Sequence, residues 1–366
     1  MTAICITGMH RSGTSLIASV LQESGVFIGA NLMKSGVGNP RGHFEDLEFV
    51  SFHERLLKRS NKTFLVQDLT GLNLFTPEDI ELANSLISNR SHQSVWGWKD
   101  PRSTLFLNFW DERVPQAFYI FLYRHPVTVS HSLLRRGAVY PENDALMTIN
   151  AWNIYNQEIL NFVKKKPEKC LLGNVHGITQ DFSKFISRVN AKFGLTLDPN
   201  IDSSIFHSDE LARESYNPAI TEAFKELIPN SFRLWNQLES IADISSSFQE
   251  DQTSLDTNYT KSIRTVINKQ LAPFHNTDLK LNYLFYFLDP TLANNKAKEA
   301  NSFLQRIQSL GDRELTIDSL MTQLNEREQI IDSLTAENLY YELSKSWRIT
   351  RPLRKITQFL RGKKNV

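Results

Sequence analysis

The residues best suited to chemistry lie near the start of the chain, in the segment GMHRSGTS at positions 8–15. Gly8 and Gly13 bracket a tight loop between an apolar run and a helical pattern, which predicts a strand, a loop and a helix. Such a loop directs backbone N–H groups and the positive end of a helix dipole toward one point. The pattern predicts a site for a phosphate-like anion, and its candidate ligands are Arg11, Ser12, Gly13, Thr14 and Ser15.

The residue after the second glycine of this loop indicates which kind of anion the loop binds. In P-loops that hydrolyse nucleotides, the second glycine is followed by a lysine that reaches the β- and γ-phosphates and by a Ser or Thr that holds Mg²⁺. Here Thr14 occupies the lysine position. The loop therefore favours a differently shaped phosphorylated donor, and a Mg²⁺-dependent P-loop kinase is the alternative that stays open.

A second anion site is predicted after the apolar run at positions 117–123, which is typical of a buried strand. Arg124 follows this run directly, and Pro126 can begin the next helix. On that helix, Ser132 and Arg136 are four residues apart and share one face. Because a nucleotide hydrolase normally carries an Asp for Mg²⁺ at such a strand end, Arg124 favours a site without metal that uses cationic side chains.

Further charged candidates come from the short segments WKDPR and GHFED. The first places Lys99 at the end of a predicted strand, and ligands bind at the carboxyl ends of strands in an open α/β sheet. The second places His43 and Glu45 behind a glycine-rich loop, which could bring Glu45 over the anion site. Asp46 and Glu48, by contrast, suit the first turn of a helix, where acidic side chains complement the helix dipole.

The elements that must position these residues alternate between strand and helix patterns, which is typical of an α/β fold. We predict a P-loop-like three-layer α/β/α domain with a mostly parallel sheet at residues 1–235. A linker and helical segment is predicted at 236–300, because residues 241–262 are rich in Ser, Asp, Thr and Gln. The apolar run at 281–288 must be covered either by the main domain or by a partner.

The C-terminal part of the chain predicts a helical extension. Apolar residues recur every seven positions at Phe303, Leu310, Ile317, Leu324 and Ile331, which indicates a coiled coil at 301–345 and a homo-oligomer formed through it. The basic tail at 346–366 carries Lys and Arg without any Asp or Glu, interleaved with apolar residues. Such a tail can lie on an anionic membrane surface or remain solvated, and both interpretations stay open.

Composition limits the other function classes. The formal net charge of the chain is +1, so no global field favours nucleic acid as a partner. Cys5 and Cys170 both lie in apolar runs, which suits buried free thiols in a reducing compartment such as the cytoplasm. The first strand begins within two residues of the N-terminus, and no apolar stretch is long enough to span a bilayer, so we expect neither a signal peptide nor a membrane span.

Taken together, these motifs resemble the sulfotransferase superfamily, in particular its bacterial sulfotransferase-like group, which is also similar to tyrosylprotein sulfotransferases. The matching segments are GMHRSGTS, NPRGHFED, WKDPR and FLYRHPVTVSHSLLRR, and the resemblance covers about residues 1–200. The first and last of these segments, with their order and separation, are the specific ones.

The resemblance implies 3′-phosphoadenylyl sulfate (PAPS) as the sulfonate donor, without a metal, and a hydroxyl or amine as the acceptor. It assigns the 5′-phosphate and sulfonate to Arg11 with the backbone of Ser12–Ser15, and the 3′-phosphate to Arg124, Ser132 and Arg136.

The resemblance also bears on the catalytic residues. Cytosolic members carry the charge of the loop as a lysine, whereas this chain has Arg11, so Lys99 is the better candidate for stabilising the transferred sulfonate. Glu45 is the first candidate for the general base and His43 the second.

The acceptor is indicated only weakly. The chain lacks the segment R-K-G-x-x-G-D-W-K of the cytosolic enzymes, which disfavours small phenols and steroids as acceptors. The segment SKSWRITRPLR looks like the C-terminal tails of bacterial surface-polysaccharide enzymes, which favours a glycan hydroxyl and a place at the inner membrane surface. A noncatalytic, membrane-associated scaffold that uses the coiled coil and the basic tail is the remaining alternative.

Overall fold

The computed structural model describes residues 1–34, 42–135, 145–201 and 218–246, together with 264–289 apart from 266, 270 and 273–275. The contacts divide the chain after Asn294, and all of these residues belong to the first of the two units. The predicted coiled coil, the basic tail and Arg136 lie outside the described residues, so these predictions are not tested here.

The core of the fold is a sheet of four parallel strands in the order β2-β1-β3-β4. The strands are near-continuous apolar runs, as expected for parallel strands that are buried on both faces. In the register of the sheet, Cys5 lies beside Trp98 on one side and Tyr119 on the other. The strand bounds are β1 Thr2–Gly8, β2 Val95–Lys99, β3 Phe118–Tyr123 and β4 Cys170–Asn174.

Helices connect and follow the strands. Short 3₁₀ helices cover Pro101–Phe106 and Pro167–Lys169. The α-helices are α1 Thr14–Glu23, α2 Leu47–Arg59, α3 Pro77–Ser88, α4 Leu107–Arg113, α5 Pro126–Leu134, α6 Ala145–Lys165, α7 Val175–Ile178, α8 Phe182–Phe193, α9 Pro218–Leu227, α10 Pro229–Ile241 and α11 Thr277–Leu288.

The helix boundaries follow local sequence signals. At the start of α3, the Thr76 side chain accepts from the backbone N–H of Asp79, and the Asp79 side chain accepts from the backbone N–H of Thr76. This reciprocal cap satisfies two N–H groups that the helix leaves without a partner. Helix α8 ends at Gly194, whose φ of +64° is the left-handed conformation that glycine adopts without steric cost.

Alternate residues of each strand enter two separate cores, which makes the domain three-layered. Ala3 and Cys5 of β1 pack under helices that include α2, α4, α6 and α10, whereas Ile4 and Ile6 pack under α1 and α8. Both faces of the sheet are therefore covered by helices, and the predicted α/β/α architecture with a parallel sheet is confirmed. Cys5 and Cys170 are buried free thiols, as predicted.

The connections that follow β1 and β3 diverge at the carboxyl edge of the sheet. Strand β1 continues into α1 on one face, whereas β3 continues into α5 on the other. Where the connections of two neighbouring strands diverge in this way, the loops separate and leave room for a ligand. The predicted anion-binding segments follow these two strands.

The last described helices complete the first unit. The apolar run at 281–288 belongs to α11, which packs on α6 and α9 and buries Leu281, Leu284 and Phe285. The main domain, rather than a partner, therefore covers these three residues of the run.

The segment that follows α10 joins the sheet. Helix α10 extends across the predicted boundary at residue 235, and Ile244 then pairs in parallel with Gly173 at the edge of β4. The wider division into domains stays a prediction. No helix in the described ranges combines the length and apolarity that a membrane span requires.

Candidate active site

The loop after β1 is fixed by close backbone packing. A Cβ added at Gly8, where φ is +153°, would lie 2.1 Å from the carbonyl oxygen of Leu122 in β3. A Cβ at Gly13, where φ is +86°, would lie 2.3 Å from Cγ2 of Val175. Arg11 itself adopts a φ of +71°. Left-handed residues that alternate with others are typical of the backbone nests that bind anions, so the predicted loop has a suitable conformation.

The two predicted anion sites adjoin. Nε of Arg11 donates to Oγ of Ser132 at 2.9 Å, and Ser132 lies on α5, the helix that follows β3. Residues that the sequence analysis assigned to different phosphates therefore meet at one edge of the sheet. Arg136, the third residue predicted for the second site, lies outside the described residues.

Arg124 is held at the end of β3 through both its backbone and its side chain. Its carbonyl oxygen accepts from the indole N–H of Trp152 at 3.0 Å, and its Nε donates to Nε2 of His176 at 3.2 Å. Arg124 is buried, with 4% of its surface exposed. His176 was not predicted as a site residue, because nothing in the local sequence indicates that α7, which follows β4, reaches Arg124.

Lys99 joins three separate segments at the end of β2. Its ammonium group donates to Oε1 of Glu45 at 2.6 Å, to Oγ of Ser15 at 3.1 Å and to the carbonyl oxygen of His43 at 3.1 Å. The lysine is buried, with 2% of its side chain exposed. The structure therefore brings together Lys99, Glu45 and the predicted anion loop, as the sequence analysis expected, and holds Glu45 in place by an ion pair.

Arg102 is a second buried cation beside Glu45. One guanidinium nitrogen lies 3.4 Å from Oε2 of Glu45 and 3.0 Å from Oδ1 of Asp100, and another lies 2.9 Å from Glu54. Burial by itself would lower the pKa of Arg102, but Asp100, Glu45 and Glu54 outweigh burial and raise it. Arg102 is thus a permanent charge, and both oxygens of Glu45 face a cation.

Asp100 holds Arg102 in position and is itself held by His53. The indole N–H of Trp110 donates to Nε2 of His53, and since an indole can only donate, Nδ1 of His53 carries the proton and donates to Asp100 at 2.9 Å. Burial opposes ionisation of Asp100, but the charge of Arg102 and the contacts with His53 prevail and lower its pKa. His53 was not predicted, although a polar residue on the apolar face of α2 was the available signal.

The neighbouring acidic residues are structural, as expected. Asp46 caps the N-terminus of α2 by accepting from the backbone N–H of Glu48 at 3.0 Å. Arg90 binds Asp46 and Glu48 through its guanidinium nitrogens. These contacts fix the start of α2 and therefore the position of Glu45, which immediately precedes the cap.

His10 and Tyr155 are polar residues of the site that the sequence analysis did not predict. Their ring centroids are 6.3 Å apart, and the His10 ring lies 4.5 Å from that of Phe64. Nε2 of His10 and the hydroxyl of Tyr155 are buried, and neither atom has a hydrogen-bond partner within the described part of the chain. The available signal for His10 was its place inside the glycine-bracketed loop, whereas Tyr155 is a buried residue of the core.

The described residues hold no group of three or more His, Cys, Asp or Glu side chains that could bind a metal ion. That the proposed chemistry needs no metal stays a prediction.

Of the known proteins compared with this chain, only solved structures show similarity to it. No protein-family model matches the sequence, and no curated protein matches it. The chain is similar to the sulfotransferase domain from the Synechococcus PCC 7002 olefin synthase, with 18% identity over 64% of this chain and 92% of that chain and a TM-score of 0.37. It is also similar to the sulfotransferase domain from the curacin biosynthetic pathway, with 17% identity over 74% of this chain and 97% of that chain and a TM-score of 0.35. These TM-scores are too low to assign an activity to this chain.

Proposed function

We propose that this chain transfers a sulfonate group from PAPS to a hydroxyl, or less readily to an amine, of an acceptor. One observation carries the proposal, namely that the hydrogen bond from Arg11 to Ser132 joins the two predicted anion sites at one edge of the sheet. PAPS has a 5′-phosphosulfate and a separate 3′-phosphate, so it requires two adjoining anion sites. The motifs that resemble the sulfotransferase superfamily support the same assignment.

The loop suits the 5′-phosphosulfate. Gly8 and Gly13 lack a Cβ, so the loop can pack closely on Leu122 and Val175 and keep its compact conformation. The hydroxyl of Ser12 is buried and has no hydrogen-bond partner among the described residues, so it can donate to a phosphate oxygen. Arg11 and the N-terminus of α1, with Thr14 and Ser15, supply positive charge and further donors. The 3′-phosphate is assigned to Arg124 and Ser132, and to Arg136 by prediction.

We assign the stabilisation of the transition state to Lys99. In an in-line displacement, the acceptor oxygen forms a bond to sulfur while the bond from sulfur to the 5′-phosphate oxygen breaks, and negative charge develops on the leaving phosphate. The contact of Lys99 with Ser15 of the loop supports this role, because a sulfonate bound at the loop would lie near the ammonium group. Because the lysine is buried, its charge is weakly screened by water.

We consider two roles for Glu45, as the general base and as the partner of two buried cations. As the predicted general base, it would take the proton of the acceptor, and His43 is the second candidate. Both oxygens of Glu45 face cations, however, because Oε1 accepts from Lys99 at 2.6 Å and Oε2 lies 3.4 Å from Arg102. Glu45 therefore also holds these two cations at the reacting centre, and accepting a proton would weaken at least one of the two contacts.

The proposal is tested by calorimetric titration with 3′-phosphoadenosine 5′-phosphate (PAP), the desulfated product. Wild type should bind PAP equally well with and without EDTA, whereas a Mg²⁺-dependent kinase would lose affinity for its nucleotide. Arg124→Ala should weaken binding by at least about tenfold, because a charge-assisted hydrogen bond contributes about 1.5–3 kcal/mol.

The matched control is Arg188→Ala, which removes an exposed arginine on α8 and should leave PAP binding unchanged. Equal affinity of Arg124→Ala and wild type would show that Arg124 does not bind the 3′-phosphate. Absence of PAP binding to wild type would contradict the proposed function itself.

The acceptor and the location of the protein are proposals that rest on the C-terminal sequence. We propose a glycan acceptor, self-association through residues 301–345 and contact of the basic tail at 346–366 with an anionic membrane surface, on the cytoplasmic side. Incubation with ³⁵S-labelled PAPS and cell-envelope fractions should label polysaccharide. Label in protein alone would contradict the glycan proposal.

A further inference from the structure

The strongest unexplained feature is the aromatic cluster of His10, Phe64 and Tyr155. Tyr155 is completely buried, whereas His10 and Phe64 are partly exposed, so one side of the cluster is accessible to solvent. Nε2 of His10 and the Tyr155 hydroxyl are both buried without a hydrogen-bond partner in the part of the chain that the structure describes. Buried polar atoms are normally satisfied, so two such atoms in one cluster indicate that a ligand supplies the missing partner.

Burial and the surrounding charges determine the protonation state of the His10 imidazole. Burial lowers the pKa of His10 well below its ordinary value, Arg102 lowers it further, and Lys99 and Arg11 act in the same direction against Asp100. His10 is therefore neutral at physiological pH, with a lone pair available on one ring nitrogen. These charged neighbours are residues of the candidate active site, so His10 lies close to the proposed reacting centre.

We propose that Nε2 of His10 takes the proton of the acceptor hydroxyl and that the Tyr155 hydroxyl orients this group by donating to its oxygen. The inference rests on the proposed function and adds its general base. In the step, the acceptor oxygen bonds to sulfur, the bond from sulfur to the 5′-phosphate oxygen breaks, the acceptor proton moves to His10, and PAP leaves with the electron pair of the broken bond.

The chemistry favours His10 over Glu45 for this role. Glu45 is bound to Lys99 and Arg102, whereas His10 can accept a proton without breaking an existing contact. The negative charges of bound PAPS would favour the imidazolium that forms, because they offset the three nearby cations. These cations also repel a protonated amine, so the subsite suits a neutral hydroxyl. The partly exposed ring of Phe64 offers an apolar surface for the skeleton that carries the hydroxyl.

The test measures release of inorganic sulfate from ³⁵S-labelled PAPS, with water as the attacking hydroxyl, beside calorimetric titration with PAP. His10→Gln should reduce sulfate release by a factor on the order of 10², because its amide can hydrogen-bond but cannot accept a proton. Tyr155→Phe should reduce release by about tenfold, consistent with one lost hydrogen bond. Neither variant should change PAP affinity. His92→Gln, at an exposed histidine on the surface, is the matched control and should behave as wild type.

The pH profile separates a proton acceptor from a structural residue. With neutral His10 as the base, the wild-type rate should stay level as pH falls through about 6.5, the ordinary histidine pKa, and decline only at lower pH. His10→Gln should lack this decline. A second measurement, thermal unfolding, does not depend on turnover. A hydroxyl without a hydrogen-bond partner adds little stability, so Tyr155→Phe should have a melting temperature no lower than that of wild type.

The outcomes separate the two proposals. Normal PAP binding with unchanged sulfate release in His10→Gln would overturn the role of His10 and leave the proposed function intact. A fall of several degrees in the melting temperature of Tyr155→Phe would reveal a structural partner for the hydroxyl and would overturn the role of Tyr155. Failure of wild type to bind PAP would overturn the proposed function, and the inference with it.

Discussion

Nε of Arg11 donates to Oγ of Ser132 at 2.9 Å, although the two residues are 121 positions apart in the chain. Arg11 belongs to the loop after β1, and Ser132 belongs to the helix after β3, and these strands are neighbours in the sheet. The contact exists because parallel strands bring their carboxyl ends to the same edge. It fixes the arginine side chain between the two predicted anion sites.

The first prediction concerns this contact. Ser132→Ala should weaken PAP binding by about tenfold, because Arg11 loses the partner that orients its guanidinium and the 3′-phosphate loses a donor. In a double-mutant cycle with Arg11→Ala, calorimetry should give a coupling energy of about 0.5–3 kcal/mol. Strict additivity of the two changes would mean that the contact has no role in donor binding.

The second prediction concerns the buried pair of Lys99 and Glu45. Lys99→Met leaves Glu45 buried without its closest cation, so urea unfolding should show a loss of about 3–5 kcal/mol. Arg102, which stays beside Glu45, should keep the loss toward the lower end of this range.

The double variant Lys99→Met with Glu45→Gln should recover part of the lost stability, because no uncompensated charge remains. It should still show no sulfonate transfer, since the transition state lacks its cation. A double variant that is no more stable than Lys99→Met would contradict the ion-pair explanation.

The third prediction concerns the glycines. Gly8→Ala should destabilise the fold severely or prevent folding, because the new methyl group would lie 2.1 Å from a backbone oxygen of β3 that cannot move without breaking the sheet. Gly25 is the matched control, since its φ of +103° is also left-handed but, apart from its chain neighbours, no atom of the described residues lies within 4 Å of its Cβ position. Gly25→Ala should cost only about 1–2 kcal/mol by urea unfolding. Equal losses of unfolding free energy in the two variants would show that the left-handed backbone conformation alone causes both losses, and that the close approach of Gly8 to Leu122 does not contribute.

The fourth prediction concerns acid stability. Because the pKa of Asp100 is lower in the folded chain than in the unfolded one, its ionised form stabilises the fold above the unfolded pKa, about 3.9. This contribution is lost as pH falls from about 4 through the folded pKa. Asp100→Asn should therefore be less stable than wild type at pH 7, and the difference should narrow below about pH 4.

Thermal melts of both proteins from pH 7 downward would check this prediction. The difference between them cancels the contributions of other carboxylates, such as Asp79 and Asp111, whose pKa values are also lowered. A constant difference across the range would contradict the assigned ionisation of Asp100.

Much of the fold follows from local sequence. The apolar run at 117–123 predicted β3, Phe118–Tyr123, to within one residue, because parallel strands are buried on both faces and must be apolar throughout. Thr76 and Gly194 marked helix ends through backbone chemistry that involves only neighbouring residues. The glycine spacing around Arg11 predicted the anion loop for the same reason, since a tight turn needs particular residues at fixed offsets.

The sequence by itself therefore determined the strands, the helices, the anion loop and the charges placed at strand ends. Only the tertiary structure decided which side chains meet, because contacts such as Lys99 with Glu45, Arg124 with His176 and Arg11 with Ser132 join segments far apart in the chain. Such contacts depend on strand order and on the paths of loops, which periodicity does not encode. The role proposed for His10 also depends on the tertiary structure, because only the fold buries its ring nitrogen beside Tyr155 without a partner among the described residues.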